Sequence, residues 1–312
     1  MPEPVQRDFL EPAVLGKLMG LPLSARHPML GSVSGRHRSP VRGSALEFAQ
    51  YRKYVPGDDT RRLDWRTWGR TDRYYIKEFE ADTNLRLSFI VDTSGSMGFE
   101  TADGDTRLDY ARRIAGTLAY IAVQQGDAVG LFTGTSNRGE DSDTVPSEIP
   151  AKRGPLHLGI VLDQIAGLEA EGETRLIEAI HETAEKVSQR ALVVIVSDLL
   201  FDLEPLREAL QHMRFRKHDV ALFHLLDRSE VDFEFDRPTR FLDLEGGPSL
   251  LADPALIRKK YREAVGDYLA TVDEIVNHSA VDYHRVFLDE AYDEVLARFL
   301  MGRSPKTSRS AR

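Results

Sequence analysis

From Thr83 onward, short apolar runs alternate with amphipathic stretches, the pattern of a parallel sheet flanked by helices. Strands are predicted at about 85–91, 127–133, 191–197, 219–226 and 281–287. Helical spacing of apolar residues predicts helices near 107–125, 155–168, 175–189, 203–214 and 254–277, with a last one at 289–301. The run Ala191-Leu-Val-Val-Ile-Val-Ser197 is apolar on both faces, as a central parallel strand requires. Asp253-Pro254 is a helix start, with Asp as N-cap and Pro in the first turn. Residues 136–150 read as a polar, exposed loop, and the small, basic tail from 302 as disordered. The first 80 residues lack the alternation. They hold one predicted helix near 10–20, a Gly/Ser/Arg stretch at 31–44 and an aromatic, charged block at 46–80. The expected division is an N-terminal extension (1–34), a loop-rich Arg/aromatic block (35–83), a doubly wound, mostly parallel α/β domain (84–301) and the tail (302–312).

Composition narrows the class. With 312 residues, 41% hydrophobic and 29% charged, the chain has the make-up of a globular protein large enough for a substantial core. Its net charge of −9 argues against general nucleic-acid binding. The charge is uneven: residues 1–80 carry 14 Lys/Arg against 10 Asp/Glu, and the remainder 27 against 40. The absence of cysteine excludes disulfides, thiolate zinc sites and cysteine nucleophiles. No apolar stretch approaches the roughly 20 residues of a membrane helix, and the N-terminal residues lack a signal pattern, so a cytoplasmic protein without membrane insertion is expected.

The most informative segment is Val91-Asp-Thr-Ser-Gly-Ser-Met-Gly98. The apolar run before it makes Asp92 the last residue of a buried strand, and an open α/β sheet binds ligands at the carboxyl ends of its strands. Asp92, Ser94 and Ser96 offer three hard oxygen groups within five residues, suited to Mg²⁺, Mn²⁺ or Ca²⁺ rather than zinc or copper. Three oxygens do not complete six-coordination, so further ligands are expected from other strand ends. Thr174, which opens a helix, and Asp198, which follows the strand at 191–197, stand in suitable places. Thr174 alone would serve as a helix N-cap and Asp198 as an ordinary strand-end residue. Taken together, the set resembles the metal-ion-dependent adhesion site of von Willebrand factor A domains. That resemblance implies that the serines and threonine bind Mg²⁺ directly or through water. The aspartates would hold the shell together, and an open position would receive a partner's carboxylate. Glu173 beside the threonine departs from the small residue many members carry there.

Catalytic templates fit this loop poorly. An aspartyl-phosphate phosphatase needs Asp where Ser94 stands, and a serine-hydrolase elbow needs Gly where Ser94 precedes Gly95-Ser96. No Walker A or dinucleotide glycine pattern is present, and the nine histidines show no zinc-site spacing.

The block at 35–80 interleaves arginines, acids and aromatics, and it holds both tryptophans, Trp65 and Trp68. Bidentate Arg-carboxylate pairs could make it an internal lattice. The same residue types are enriched at interface hot spots, which makes Arg52, Asp58, Asp59, Arg62, Asp64 and Trp65 candidate partner-binding residues. The Gly35-to-Gly43 run, Glu47-Phe48, Tyr54-Val55-Pro56-Gly57-Asp58-Asp59 and Arg62-x-Asp64-Trp65, set just before a von Willebrand A-like strand, closely resemble the bacterial family called domain of unknown function 58. The resemblance spans roughly 35–300 and implies an adaptor or co-chaperone working with a MoxR-type AAA+ ATPase, its partner being that ATPase or the ATPase's client protein.

The expected function is a non-enzymatic, metal-dependent protein-interaction module. A metal-dependent hydrolase or phosphatase using the same site is the first alternative. Metal-independent binding through residues 35–80 is the second.

Overall fold

The computed structural model describes residues 7–25, 47–55, 63–71, 73–80, 85–101, 103–133, 148–242, 244 and 249–303. The chain opens with helix α1 (Pro12–Leu18), followed by strand β1 (Glu47–Lys53), helix α2 (Trp65–Thr71) and strand β2 (Tyr75–Glu80), with β1 and β2 paired antiparallel. The α/β body then runs β3 (Arg86–Val91), α3 (Arg107–Gln124), β4 (Ala128–Thr133), β5 (Glu148–Lys152), α4 (Pro155–Ala166), α5 (Leu176–Lys186), β6 (Leu192–Ser197), α6 (Leu203–Phe215) and β7 (Asp219–Leu226). A side branch follows, made of α7 (Arg228–Asp232) and the short hairpin β8 (Thr239–Phe241) and β9 (Leu250–Ala252). The long helix α8 (Pro254–His278), strand β10 (Asp282–Phe287) and helix α9 (Tyr292–Arg303) close the fold.

Six strands form one sheet in the order β10-β7-β6-β3-β4-β5, with every neighbouring pair parallel except β4 and β5. The chain starts in the middle at β3, moves out through β4 and β5, and returns to β6 on the other side of β3. That reversal places a topological switch point between β3 and β6, where the loops leaving the carboxyl ends diverge and open a crevice.

Side-chain alternation along the strands builds a core on each face. Leu87, Phe89 and Val91 of β3 and Leu192, Val194 and Val196 of β6 pack with α3, α4 and α9. Ile90, Val193 and Ile195 point the other way, against α5, α6 and α8. Period-2 alternation in strands covered on both faces leaves no polar side, which is why these runs read as almost wholly apolar, with Ser88 the one polar residue between Leu87 and Val91. Thr106 and Asp109 form a reciprocal capping box that starts α3, and the Asp253 carboxylate accepts the Ala255 N–H to start α8.

The strands follow the predicted positions closely, and three features differ from expectation. Residues 148–150, expected in a loop, belong to edge strand β5, where Pro150 is tolerated because an edge strand leaves some N–H positions unpaired. The N-terminal block is less loop-rich than expected, since its described part holds a strand pair and a helix. Residues 9–23 share the body's core: Phe9, Val14, Leu18 and Leu23 are buried with α3 and α9. Gln125 fastens this segment by accepting the Leu23 N–H at 3.0 Å and donating to the Leu21 carbonyl at 2.9 Å. At the other end of the chain, buried Arg303 binds Asp219 at 3.0 Å and Asp282 at 2.8 Å, tying α9 to the amino ends of β7 and β10. Among the described residues no helix is long and apolar enough to cross a membrane. The expected loop at 136–147 and the basic tail after Arg303 lie outside the described residues.

Candidate metal centre

The switch point collects all five candidate ligands. Asp92 follows β3, Asp198 follows β6, and a 3-10 turn at Gly95–Gly98 carries Ser96 back over the strand ends. Thr174 arrives for a topological reason: α4 packs on one face of the sheet and α5 on the other, so their connection must cross the carboxyl edge. Two backbone bonds hold that crossing to the 92–98 loop, Gly95 N–H to the Gly172 carbonyl at 2.8 Å and Glu171 N–H to the Thr93 carbonyl at 2.9 Å. Gly172 sits at φ +70, a left-handed turn that suits glycine.

Asp92 is the hub. Its carboxylate is fully buried and accepts from the Ser94 N–H at 3.1 Å, the Ser197 hydroxyl at 2.7 Å and the Thr174 hydroxyl at 3.2 and 3.3 Å. The Ser94 and Ser96 hydroxyls lie 3.0 Å apart. Thr174 is not the N-cap itself but stands one residue earlier, where its hydroxyl also accepts the Leu176 N–H at 3.3 Å. Ser96 and Thr174 keep some solvent contact, whereas Asp92, Ser94 and Asp198 are at most 1% exposed. Glu173 points to solvent.

The electrostatics separate the two aspartates. Burial, reinforced by the charge of Asp198, holds the Asp92 carboxyl above the usual carboxylate range. Asp198 instead has a permanent counter-charge: Arg107, the first residue of α3, donates to it at 2.6 Å and to the Ser96 carbonyl at 3.3 Å. The other guanidinium nitrogen of Arg107 pairs with Glu230 of α7. The backbone carbonyl of Asp198 accepts from His224 Nε2 at 2.9 Å, which leaves Nδ1 to accept the Tyr283 hydroxyl at 2.8 Å. Burial pushes the His224 pKa down to about 3, so the ring is neutral.

This all-oxygen, hydroxyl-rich donor set fits a hard dication, and the buried Asp92 is a negative group that such an ion would compensate. Among the described residues no three His, Asp or Glu side chains are placed to hold a metal by themselves. Ser197, Arg107, His224 and Glu230 escaped the sequence reading. Ser197 merges into an apolar strand, and an arginine at a helix start reads as solvated charge until its buried partner is seen.

The family described as Protein of unknown function DUF58 matches residues 50–270, well over half of the chain. The chain belongs to this family. An uncharacterized protein of Mycobacterium tuberculosis and its counterpart in Mycobacterium bovis are each 26% identical to this DUF58 protein over 307 residues, covering 97% of it and 93% of their own length. Among solved structures, the conserved hypothetical protein BatB of Bacteroides thetaiotaomicron aligns at a TM-score of 0.44 and 15% identity, covering 70% of this chain and 98% of its own. A von Willebrand factor type A protein of Catenulispora acidiphila aligns at 0.34 and 16% identity, covering 60% and 43%. The sheet order and its flanking helices give the DUF58 chain a doubly wound, mostly parallel α/β fold.

Of the N-terminal candidates, Asp64 and Trp65 have described side chains. Asp58, Asp59 and Arg62 lie outside the described residues, and Arg52 is described only as a backbone position in β1. Asp64 is buried rather than presented to a partner: its carboxylate accepts the Thr67 N–H at 3.3 Å and hydroxyl at 2.8 Å, capping α2. Trp65 is exposed and meets Trp68 edge-on, and Trp68 stacks on Tyr74 at 6.0 Å.

Proposed function

We propose that this DUF58 protein is a non-enzymatic protein-interaction module of the cytoplasm whose contact is made through a divalent cation. Ser94, Ser96 and Thr174 would hold the ion, Mg²⁺ or else Mn²⁺ or Ca²⁺, with Asp92 and Asp198 fixing those ligands in place. The bound cation supplies a positive charge to which a carboxylate of the partner attaches. The observation that carries this reading is the arrangement at the β3/β6 switch point, where the Thr174 hydroxyl and the Ser94 N–H meet on the buried Asp92 carboxylate and the Ser94 and Ser96 hydroxyls lie 3.0 Å apart beside it. A dication and an anion sharing a partly dehydrated site attract strongly, so binding should vanish with chelation. The partner class, implied by the family resemblance, is a MoxR-type AAA+ ATPase or the client delivered to it.

A second reading has its own support. Trp65, Trp68 and Tyr74 form an exposed aromatic patch of hot-spot residue types, able to bind without metal. One experiment separates the two: wild type and Ser96→Ala are immobilised, and partners are captured from native lysate in Mg²⁺ or in EDTA. An ATPase of this class retained only by wild type in Mg²⁺ supports the metal reading. Capture indifferent to EDTA and to the variant refutes it and moves the interface to the aromatic patch.

A further inference from the structure

The amino ends of the strands, at the edge of the sheet away from the 92–98 loop, border an open cavity. It has a volume of about 650 Å³ and lies where α6 turns into β7 and α8 turns into β10. A space of that size is within the roughly 300–1,000 Å³ range of small-molecule sites. Three cationic side chains line it, Arg190, Arg214 and Lys217, in a protein whose net charge is −9. The one carboxylate in the lining, Asp219, is already bound by Arg303 at 3.0 Å. A local excess of positive charge against an acidic background marks a place where anions concentrate.

The inner wall adds a hydrogen-bonding group with nothing to bond. Ser279, at the end of α8, is 4% exposed, and its hydroxyl has no hydrogen-bond partner. A buried hydroxyl left unmatched destabilises the fold, so a ligand oxygen drawn in beside it recovers that loss. Next to it, His218 accepts the Ala191 N–H at Nδ1, which leaves the ring proton on Nε2. Leu210 and Val220 supply an apolar wall beside these polar groups.

We propose that this cavity binds a phosphate group, free or carried on a small organic molecule, through Arg190, Arg214, Lys217 and the Ser279 hydroxyl. Phosphate suits the set because its several acceptor oxygens engage guanidinium, ammonium and hydroxyl donors at once, with arginine able to bind two of them. This site is independent of the metal centre and of the function proposed for it.

Isothermal titration calorimetry on the full chain in EDTA tests the assignment, with adenosine 5′-monophosphate, inorganic phosphate and adenosine as probes. EDTA removes any route through a cation at the other edge. Two variants keep the test interpretable. Lys217 sits at φ +65, a conformation asparagine tolerates, so Lys217→Asn removes the charge with little backbone strain. Ser279→Ala removes only the unmatched hydroxyl and should leave the melting temperature unchanged or slightly higher. Saturable binding of a phosphate-bearing probe below about 1 mM, weakened roughly tenfold or more in both folded variants, supports the site. Monophosphate binding tenfold tighter than inorganic phosphate identifies an esterified ligand, and equal binding identifies the free anion. Binding of adenosine as tight as the monophosphate, the absence of saturable binding, or affinity unchanged in both variants overturns the proposal.

Discussion

Replacing Arg107 with Met tests how the two ends of the metal loop are held. The guanidinium is 1% exposed and its partner Asp198 2%, with 2.6 Å between them, so the variant leaves a buried carboxylate with no cation. Removing one member of a buried ion pair costs about 3–5 kcal/mol, because the remaining charge is desolvated and uncompensated. The second partner, Glu230, is partly exposed and adds little, since water takes over its hydration. At about 2–4 °C per kcal/mol for an α/β body of this size, the expected fall in melting temperature is about 6–20 °C in EDTA. The double variant Arg107→Met/Asp198→Asn should recover part of that loss, because the orphaned charge is gone. Mg²⁺ should then stabilise Arg107→Met more than wild type, because the site has lost its internal cation and carries one more unneutralised carboxylate. Circular-dichroism melts with and without Mg²⁺ read both effects. A melting temperature within about 2 °C of wild type in EDTA would show that the pair does not hold the loop, and the electrostatic reasoning would fail.

Three further outcomes are expected. Ser96→Ala should remove metal-dependent partner capture with little change in stability, whereas Asp92→Ala should also destabilise the fold, because it orphans the Ser94 N–H and the Thr174 and Ser197 hydroxyls; equal melting temperatures for the two variants would contradict this asymmetry. Gly130→Ala would put a Cβ 2.7 Å from the Ile149 carbonyl and 2.8 Å from the Ala151 nitrogen, so it should cost about 1–3 kcal/mol and raise hydrogen exchange selectively in β5; unchanged exchange there would refute the β4–β5 contact. Burial lowers the His218 pKa to about 4, so its contribution to stability is present above its unfolded pKa near 6.5 and is lost as pH falls from 6.5 towards 4, by up to about 1.4 kcal/mol per pH unit. Urea melts of His218→Asn should show a shallower loss than wild type across that window, and parallel curves would count against it.

Much of this fold was legible because its central strands are covered on both faces. Residues 192–196 of β6 are apolar without interruption and 87–91 of β3 are broken only by the buried Ser88, a pattern that a central parallel strand between turn residues satisfies. The long helices likewise declared themselves by apolar spacing and by caps such as Asp253-Pro254. Edge strand β5 gave no such signal. It is five residues long, contains a proline and buries one side chain well, so its pairing depends on β4 rather than on its own sequence. The candidate loop at 92–98 was visible because its spacing is local, and Thr174 and Asp198 because each stands at a helix start or strand end. The supporting contacts were not. Arg107 reaches Asp198 across 91 positions of sequence and Ser197 reaches Asp92 across 105, and no periodicity encodes such a meeting. Asp64 shows the reverse case: its neighbourhood of arginines and tryptophans suggested an interface, while its use is the local one of capping the helix that follows.

The proposed function depends on a divalent cation bound by Ser94, Ser96 and Thr174 at the switch point. Electron paramagnetic resonance of free Mn²⁺, titrated into wild type and Ser96→Ala, measures this without need of a partner. One bound ion per wild-type chain, displaced by excess Mg²⁺, is expected, with at least about tenfold weaker binding in the variant. No bound ion at millimolar Mn²⁺, or equal binding by both proteins, would contradict it.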